Sequence, residues 1–320
     1  MSSFGGTASE RQPGRTCPLS YRYSPSTLAR DAELQAETLY IAGGVYGNPY
    51  ALARILEIAH DDPCRGVLVF NGDFNWFNTD AYDFAAINDL VMRNIALRGN
   101  VETELAHDDI GAGCGCAYPQ KVSDEEVDRS NAILARLRET ARAAPTLRKQ
   151  LGALPMHMVV EVAGIRIAIV HGDAESLAGW AYSEHELRRP EGIRRLLSHI
   201  AAARVRVIAS SHTCLPVALD FETPAGRCAL FNNGAAGMPN FRGTRYGLVT
   251  RIASRPAANA LYGTRIGAAY VDAVAVDYDH ARWIERFRAS WPEGSPAHLS
   301  YFERIVEGPN YNPAAAVRAL

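Results

Sequence analysis

The chain has 320 residues, 48% of them apolar, and a formal net charge of −2 at pH 7. This length and apolar content allow a substantial core in one large α/β domain or in two small ones. The near-neutral charge excludes attraction to nucleic acid or to anionic lipid by bulk electrostatics, so an anionic substrate must be recognised locally.

The N-terminal segment differs in composition from the rest of the chain. It is rich in Gly, Ser, Pro and Arg with little periodicity, which predicts a flexible N-terminal arm over residues 1–36. Residues 37–320 are predicted to form the folded domain, which ends in a C-terminal helical extension. No apolar run approaches the ~20 residues of a membrane span, and no secretory signal is recognisable. We therefore expect a cytoplasmic protein that has no membrane contact and keeps its cysteines as thiols.

The first two predicted strands end at turns that carry polar residues. Apolar residues at 39–42 predict a strand, and the turn Gly43–Asn48 leads from it into a stretch with helical apolar spacing. A continuous apolar run over 67–70 is typical of a strand covered on both faces, and Asp73 lies just beyond its end. Strands that alternate with helices in this way predict an α/β sheet, whose ligands gather at the carboxyl ends of the strands.

The same order continues in the next part of the chain. A helical pattern over 82–93 precedes a short predicted strand at 95–97, and Asn100 follows that strand. Residues 104–120 are predicted to form a long loop that contains the sequence Gly113–Cys116. A pair of cysteines separated by one residue is a weak metal-binding signal, so this loop is a candidate ligand source rather than a defined site.

Two later strands each end at a histidine. A predicted hairpin over 159–170 leads to His171, and an apolar strand at 205–209 leads to His212, two residues before Cys214. Imidazoles, a carboxylate and an amide oxygen form a mixed ligand set that suits iron, manganese or zinc better than calcium. The strand ends therefore predict a transition-metal site.

The five motifs at these strand ends resemble, in order and spacing, those of the calcineurin-like metallophosphoesterase superfamily. They are Ala42–Asn48, Asn71–Asp73, Arg98–Glu102, Val170–Asp173 and Ser211–Cys214. The resemblance implies an α/β fold, namely a four-layer α/β/β/α sandwich with two mixed sheets. It also implies a metal-dependent hydrolase of a phosphate ester or a nucleotide-type phosphoanhydride, with metal-bound water as the nucleophile.

The resemblance implies that the two metal pockets of the superfamily differ in this chain. One pocket keeps all of its ligand types, and these are Asp73, Asn100, His171 and His212. The other pocket has lost its usual ligands, since Gly44, Tyr46 and Cys214 stand in their places. We therefore expect one pocket for a divalent or trivalent ion of iron, manganese or zinc, and a second ion only if other groups replace the missing ligands.

Two replacements for the second ion are open from the sequence. In the first, Cys214 and a thiolate of Cys114 or Cys116 build a thiolate-containing pocket, which favours zinc or iron. Tyr46 then either contributes a phenolate or only fills the space of the absent histidine. In the second, one metal works alone and nearby side chains carry the charge that the second ion would have carried.

Five further residues are candidates for contact with the substrate. Arg98, beside the Gly-Asn turn, and His107 are the predicted catalytic residues of the single-metal alternative. Asn48, Asn233 and Arg242 are predicted to bind substrate, although Asn48 has the alternative role of bracing its own turn. Asn233 is included because the turn that contains it resembles a turn beside the site in the superfamily.

Three functions follow from these alternatives. The first is hydrolysis of a small phosphorylated substrate. The second is non-hydrolytic or redox chemistry at a thiolate-containing site, and the third is metal binding without catalysis. One ion with turnover of aryl phosphates supports the first function, sulfur ligation or an iron chromophore supports the second, and bound metal without turnover supports the third.

Overall fold

A computed structural model describes residues 12–64, 66–108 and 111–319. In these ranges two mixed sheets pack face to face, and helices cover the outer face of each sheet. This is the predicted four-layer α/β/β/α sandwich, so the predicted fold class is confirmed.

The secondary-structure elements of the described ranges follow one another in an alternating order. The strands are β1 (Leu34–Ala36), β2 (Thr38–Ala42), β3 (Val67–Asn71), β4 (Ile95–Leu97), β5 (His157–Val162), β6 (Ile165–Val170), β7 (Val207–Ser210), β8 (Pro216–Phe221), β9 (Cys228–Asn233), β10 (Gly247–Ala253), β11 (Ala260–Ile266), β12 (Ala269–Val276) and β13 (Val317–Ala319). The α-helices are α1 (Pro49–Asp61), α2 (Ala81–Met92), α3 (Asn100–Ala106), α4 (Asp124–Arg142), α5 (Pro145–Ala153), α6 (Glu184–Leu187), α7 (Pro190–Ala203), α8 (His280–Ser290), α9 (Pro296–Glu307) and α10 (Pro313–Ala316). Across the described residues, none of these helices combines the length and the hydropathy that crossing a membrane requires.

The six-stranded sheet has the order β11-β12-β10-β2-β3-β4. Strands β2, β3 and β4 are parallel, with Ile41 opposite Val69 and Phe70 opposite Ala96. Their carboxyl ends therefore lie side by side, and the loops that follow them start from one edge of the sheet.

The seven-stranded sheet has the order β1-β5-β6-β7-β9-β8-β13. Here β6, β7 and β9 are parallel, with Ala168 opposite Ile208 and Ile208 opposite Leu230. His171 follows β6 directly and His212 follows β7 after one residue. This sheet therefore brings its two histidines to one edge in the same way.

Apolar side chains fill the layer between the sheets. Both faces of a parallel strand are covered in such a fold, which explains the continuous apolar runs in the sequence. The inner layer includes Leu39, Ile41, Val69, Leu97, Ile167, Ile169, Val207, Ala209 and Phe231. Helices α1, α2, α4, α8 and α9 pack over the six-stranded sheet, and α7 packs over the seven-stranded one.

Residues 12–36 belong to the sandwich, which differs from the predicted flexible arm. Tyr21 and Leu28 are buried, and β1 pairs in parallel with β5 at the sheet edge. The Tyr21 hydroxyl donates to the Glu104 carboxylate at 2.5 Å. The segment is held by isolated anchors of this kind, which leave no periodic pattern in the sequence. Residues 1–11 of the predicted arm lie outside the described residues.

A buried ion pair joins β2, β10 and the end of α1, at the opposite end of these strands from the metal-ligand motifs. Asp62 Oδ2 accepts from Arg251 Nε at 3.0 Å and from the Tyr40 hydroxyl at 2.9 Å. Burial alone would raise the pKa of Asp62, but hydrogen bonds, including those from Tyr40 and Arg251, hold the pKa below its usual value. The stability that this carboxylate adds is therefore present above its unfolded-state pKa of about 3.9 and is lost as the pH falls through the lower folded-state pKa.

We expect Asp62→Asn to lower the free energy of unfolding by roughly 3 kcal/mol at pH 7, because the buried Arg251 loses its closest charged partner. Denaturant unfolding at pH 7 and at pH 3 measures this loss, and the difference from the wild type should shrink at pH 3. Asp89→Asn is the control, since Asp89 forms an exposed ion pair with Arg93 that contributes little. Equal losses in the two variants would contradict the assignment.

Candidate metal centre

Four side chains meet where the carboxyl ends of β3, β4, β6 and β7 converge. Nε2 of His171 lies 3.3 Å from Oδ1 of Asp73 and 3.1 Å from Oδ1 of Asn100. The same nitrogen lies 3.2 Å from Nδ1 of His212. All four residues are buried. The structure therefore brings together the four residues that the sequence assigned to one metal pocket.

Backbone carbonyls determine which ring nitrogens face this centre. Nδ1 of His171 donates to the carbonyl of Asn71 at 2.8 Å, and Nε2 of His212 donates to the carbonyl of Cys116 at 3.1 Å. Because a carbonyl only accepts, each of these nitrogens carries the proton of the neutral ring, and the other nitrogen presents a lone pair to the centre. Histidines that bind metals are commonly oriented in this way.

Asn100 is oriented by the same principle. Its Nδ2 donates to the carbonyl of Cys114 at 3.0 Å, which turns Oδ1 toward His171. Two nitrogen lone pairs, an amide oxygen and a carboxylate oxygen thus face one another. A single proton on His171 can satisfy only some of these contacts, whereas one cation satisfies all four. The donor set therefore fits a metal ion.

The charges in the centre are strongly coupled. Burial opposes the charge of Asp73, yet the nearby His171 holds the pKa of Asp73 below its usual value. Burial likewise opposes a charge on His171, but the Asp73 carboxylate outweighs it and raises the pKa of His171. Burial, and then the neighbouring His171, lower the pKa of His212 to about 3. His212 therefore stays neutral at physiological pH and keeps its lone pair for a metal.

Glu102 connects two of the ligand loops. Its Oε2 accepts from the backbone N–H of Asp73 at 2.8 Å and of Gly99 at 3.0 Å, while its Oε1 accepts from Phe74 N at 3.1 Å. Burial, and then the charge of Asp73, raise the pKa of Glu102 to about 7. Sequence reasoning gave this residue no role, although its place three residues after the N-cap of α3 is the capping-box position.

The second pocket of the centre is filled by protein side chains. The Tyr46 hydroxyl lies 2.9 Å from Sγ of Cys214. A Cβ atom at Gly44 would lie 2.8 Å from the Tyr46 ring, so the ring occupies the space into which a side chain at position 44 would project. Burial, and then Cys214, raise the pKa of Tyr46, which keeps its phenol neutral.

Solved structures share this architecture. One is a metallophosphoesterase from Sphaerobacter thermophilus, which is 17% identical with a TM-score of 0.55 over 85% of this chain and 100% of that chain. Another is a hypothetical protein from Pyrococcus horikoshii OT3, which is 16% identical with a TM-score of 0.56 over 86% of this chain and 99% of that chain. The chain has the metallophosphoesterase fold.

The metallophosphoesterase fold is the one that the five motifs predicted, and this prediction is confirmed. No family of known sequences matches the chain, and no curated protein matches it. Identities of 16% and 17% establish the fold alone, so the activity has to be argued from the residues of the site.

In this metallophosphoesterase-fold site, the cysteines of the 104–120 loop act through their backbone carbonyls. The carbonyls of Cys114 and Cys116 accept hydrogen bonds from Asn100 and His212 and thereby orient them. Within the described ranges, Asp73, His171 and His212 have ligand atoms that all lie within 4.8 Å of one another. No cysteine sulfur belongs to this group. Sγ of Cys116 does lie 3.5 Å from Nδ2 of Asn100. The thiolate-containing pocket of Cys214 with Cys114 or Cys116 stays a prediction.

The two predicted catalytic residues lie away from the centre. Nη1 of Arg98 donates to the carbonyl of Gly152, so the guanidinium group points toward α5. His107 is exposed and ends α3, whose seven residues separate it from Asn100 by roughly 10 Å along the helix axis. These positions do not support the two catalytic roles, which stay predictions, because proximity in the sequence does not determine the direction of a side chain.

The three predicted substrate-binding residues also have other contacts. Asn48 is the N-cap of α1 and accepts from two backbone N–H groups of its first turn. Asn233 donates to two backbone carbonyls, at 3.0 and 2.9 Å. Arg242 is exposed and contacts Asn310 at 3.3 Å. The contacts of Asn48 agree with the alternative that it braces its turn, and the substrate-binding roles of Asn233 and Arg242 stay predictions.

Aromatic side chains form much of the wall of a small cavity beside the centre. The cavity has a volume of about 40 Å³, and its aromatic walls are Tyr46, Trp76, Tyr118, Trp180 and Tyr301. Nε1 of the half-buried Trp180 donates to the carbonyl of Cys116 at 2.9 Å, and its ring lies 5.3 Å from that of His212. No motif pointed to Trp180 or Tyr301. The volume is on the scale of a few water molecules.

Proposed function

We propose that this protein is a metal-dependent phosphoesterase that hydrolyses a small phosphate ester or a nucleotide-type phosphoanhydride. The observation that carries the proposal is the convergence of Asp73, Asn100, His171 and His212, each oriented so that an electron-pair donor faces a common point. The metallophosphoesterase fold supports this function by analogy, because such sites lie at the same carboxyl ends of the strands.

The four residues would hold one cation of iron, manganese or zinc, since two imidazole nitrogens, a carboxylate and an amide oxygen suit these ions. When bound, the cation supplies a Lewis acid and lowers the pKa of a water molecule from 15.7 toward about 7. The protein would contribute the orientation of the ligands through the carbonyls of Asn71, Cys114 and Cys116.

The cavity walls give a second reason why hydrolysis here would need a metal. Among the described residues that line the cavity there is no lysine or arginine. Arg304, whose Nη2 donates to the carbonyl of Cys214 at 2.6 Å, is not one of the residues that line the cavity. A phosphoryl group therefore has no guanidinium or ammonium partner in the cavity, and a metal would have to offset its charge.

Metal analysis combined with a phosphatase screen tests the proposal. Protein purified without added metal should contain about one ion per chain, on the basis of four converging ligands. It should hydrolyse 4-nitrophenyl phosphate or bis(4-nitrophenyl) phosphate, lose this activity with a chelator, and regain it when manganese or ferrous iron is added. Bound metal without turnover of any phosphate ester would overturn the proposal in favour of a metal-binding protein without catalysis.

A second candidate function is redox chemistry at the same centre. Two histidines and one carboxylate are also the ligand set of non-haem ferrous sites that bind dioxygen, and the cavity of about 40 Å³ suits a diatomic ligand. Electron paramagnetic resonance of the ferrous protein with nitric oxide tests this function. A high-spin iron-nitrosyl signal together with the absence of phosphatase activity would favour it over hydrolysis.

A further inference from the structure

We propose that the centre holds a single metal ion per chain and that the hydroxyl of Tyr46 stands in place of a second ion, donating a hydrogen bond to the phosphoryl group of the substrate. The second half of this inference rests on the proposed phosphoesterase function. The first half, the count of one ion, does not.

The first step concerns the ligands that a second ion would need. Among the described residues that line the cavity, Asp73 has the only carboxylate and His212 the only imidazole. Both residues already belong to the set that converges on His171. At the position where a neighbouring ligand would project, a Cβ at Gly44 would meet the Tyr46 ring at 2.8 Å. The second position therefore has no carboxylate or imidazole of its own, only the thiols of Cys116 and Cys214, and a phenol ring fills it.

The second step concerns how firmly Tyr46 is held. Its backbone N–H donates to the carbonyl of Asp73 at 3.1 Å, which ties it to a metal-ligand loop. Its ring lies 5.9 Å from that of Phe77, and only 2% of the residue is exposed. Its hydroxyl contacts Sγ of Cys214 at 2.9 Å, and Nη2 of Arg304 donates to the Cys214 carbonyl. The hydroxyl is thus fixed at the wall of the cavity before a substrate binds.

The third step concerns what that hydroxyl can do. Sγ of Cys214 lies 3.3 Å from the carbonyl of His212, which gives the thiol proton an acceptor of its own. The Tyr46 proton is then available to an oxygen in the cavity. In two-metal phosphoesterases the two ions stabilise the attacking and leaving oxygens. A hydrogen-bond donor that is already in position, in a site that excludes water, can stabilise the same developing negative charge. Loss of one such donor costs about 100-fold in kcat.

The test compares Tyr46→Phe with Tyr278→Phe. Tyr278 is a matched control because it is a buried phenol of the same apolar cluster, but its hydroxyl donates to the Gly237 carbonyl at 3.3 Å and it does not line the cavity. We expect all three proteins to bind one ion by manganese titration. We expect kcat for 4-nitrophenyl phosphate to fall about 100-fold in Tyr46→Phe with little change in KM, and to stay near the wild-type value in Tyr278→Phe.

Two ions in the wild type would overturn the count, and wild-type kcat in Tyr46→Phe would overturn the role of the hydroxyl. If the wild type hydrolyses no phosphate ester, the proposed function fails and the role of the hydroxyl fails with it, while titration still decides the count. These failures are therefore distinguishable.

A gain of the second ion provides an independent test. The triple variant Gly44→Asp, Tyr46→His, Cys214→His removes the ring and supplies three ligands, so it should bind two manganese ions. Two ions held about 3.5–4 Å apart, as in two-metal sites, should show magnetic coupling in electron paramagnetic resonance. The single variant Cys214→His keeps both Gly44 and the ring, and it should bind one ion. A folded triple variant that still binds one ion would contradict the assignment of Tyr46 to the second position.

Discussion

His171→Ala should strip the metal from the centre and abolish metal-dependent hydrolysis. His171 has the most contacts within the centre, because its Nε2 lies within 3.3 Å of ligand atoms of Asp73, Asn100 and His212. Loss of a residue that only orients a ligand costs roughly 10–100-fold in metal affinity, so loss of a ligand itself should cost more than about 100-fold. Competition with a chromophoric chelator measures the affinity, and elemental analysis measures the stoichiometry.

The control for this variant is His107→Ala. His107 was a candidate catalytic residue from the sequence, but it is exposed at the end of α3. Its removal should leave both the metal content and kcat at the wild-type values. If His171→Ala retained one ion with wild-type affinity, the four residues would not be the metal ligands.

The fold and the convergence of the four polar side chains could be predicted because they depend on strand ends. Asp73, Asn100, His171 and His212 each lie within three residues of the end of a parallel strand. Parallel strands that are buried on both faces have a strong apolar signature, and their carboxyl ends must lie at one edge of a sheet. Residue type, position in the chain and the resemblance of the five motifs to the superfamily together placed these four side chains at one site.

Much of the rest depends on groups that a sequence does not display. The Gly113–Cys116 segment was interpreted through its thiols, yet the carbonyls of Cys114 and Cys116 orient Asn100 and His212. Every residue has a carbonyl, so residue type carries no signal for such a role.

The aromatic walls and the direction of the Arg98 side chain show two further limits. Trp180 and Tyr301 are more than a hundred residues apart and share a cavity because α9 packs against α4 and α8. Arg98 lies two residues before Asn100, but its side chain is directed to Gly152. Tertiary packing and the direction of a long side chain decide both outcomes, and neither is encoded by spacing along the chain.

Glu102→Gln should weaken both the fold and the metal site, since one carboxylate holds the loops after β3 and β4 together. Its oxygens accept from backbone N–H groups of Asp73, Phe74 and Gly99, all of them buried. An amide replaces one acceptor oxygen with a donor, so at least one of these N–H groups loses its partner. Leaving a buried N–H group without its acceptor should lower the free energy of unfolding by about 1–3 kcal/mol.

The same substitution separates the effect on the metal from the effect on stability. Because Glu102 positions the backbone of Asp73 without facing the converging ligand atoms, we expect metal affinity to fall by roughly 10–100-fold and not to be abolished. Denaturant unfolding of the metal-free protein gives the stability, and chelator competition gives the affinity. Glu57→Gln is the control, since Glu57 forms an exposed ion pair with Arg54 and its loss should change neither quantity measurably. Reduced stability with unchanged metal affinity would show that Glu102 supports the fold alone and that the position of Asp73 does not depend on it.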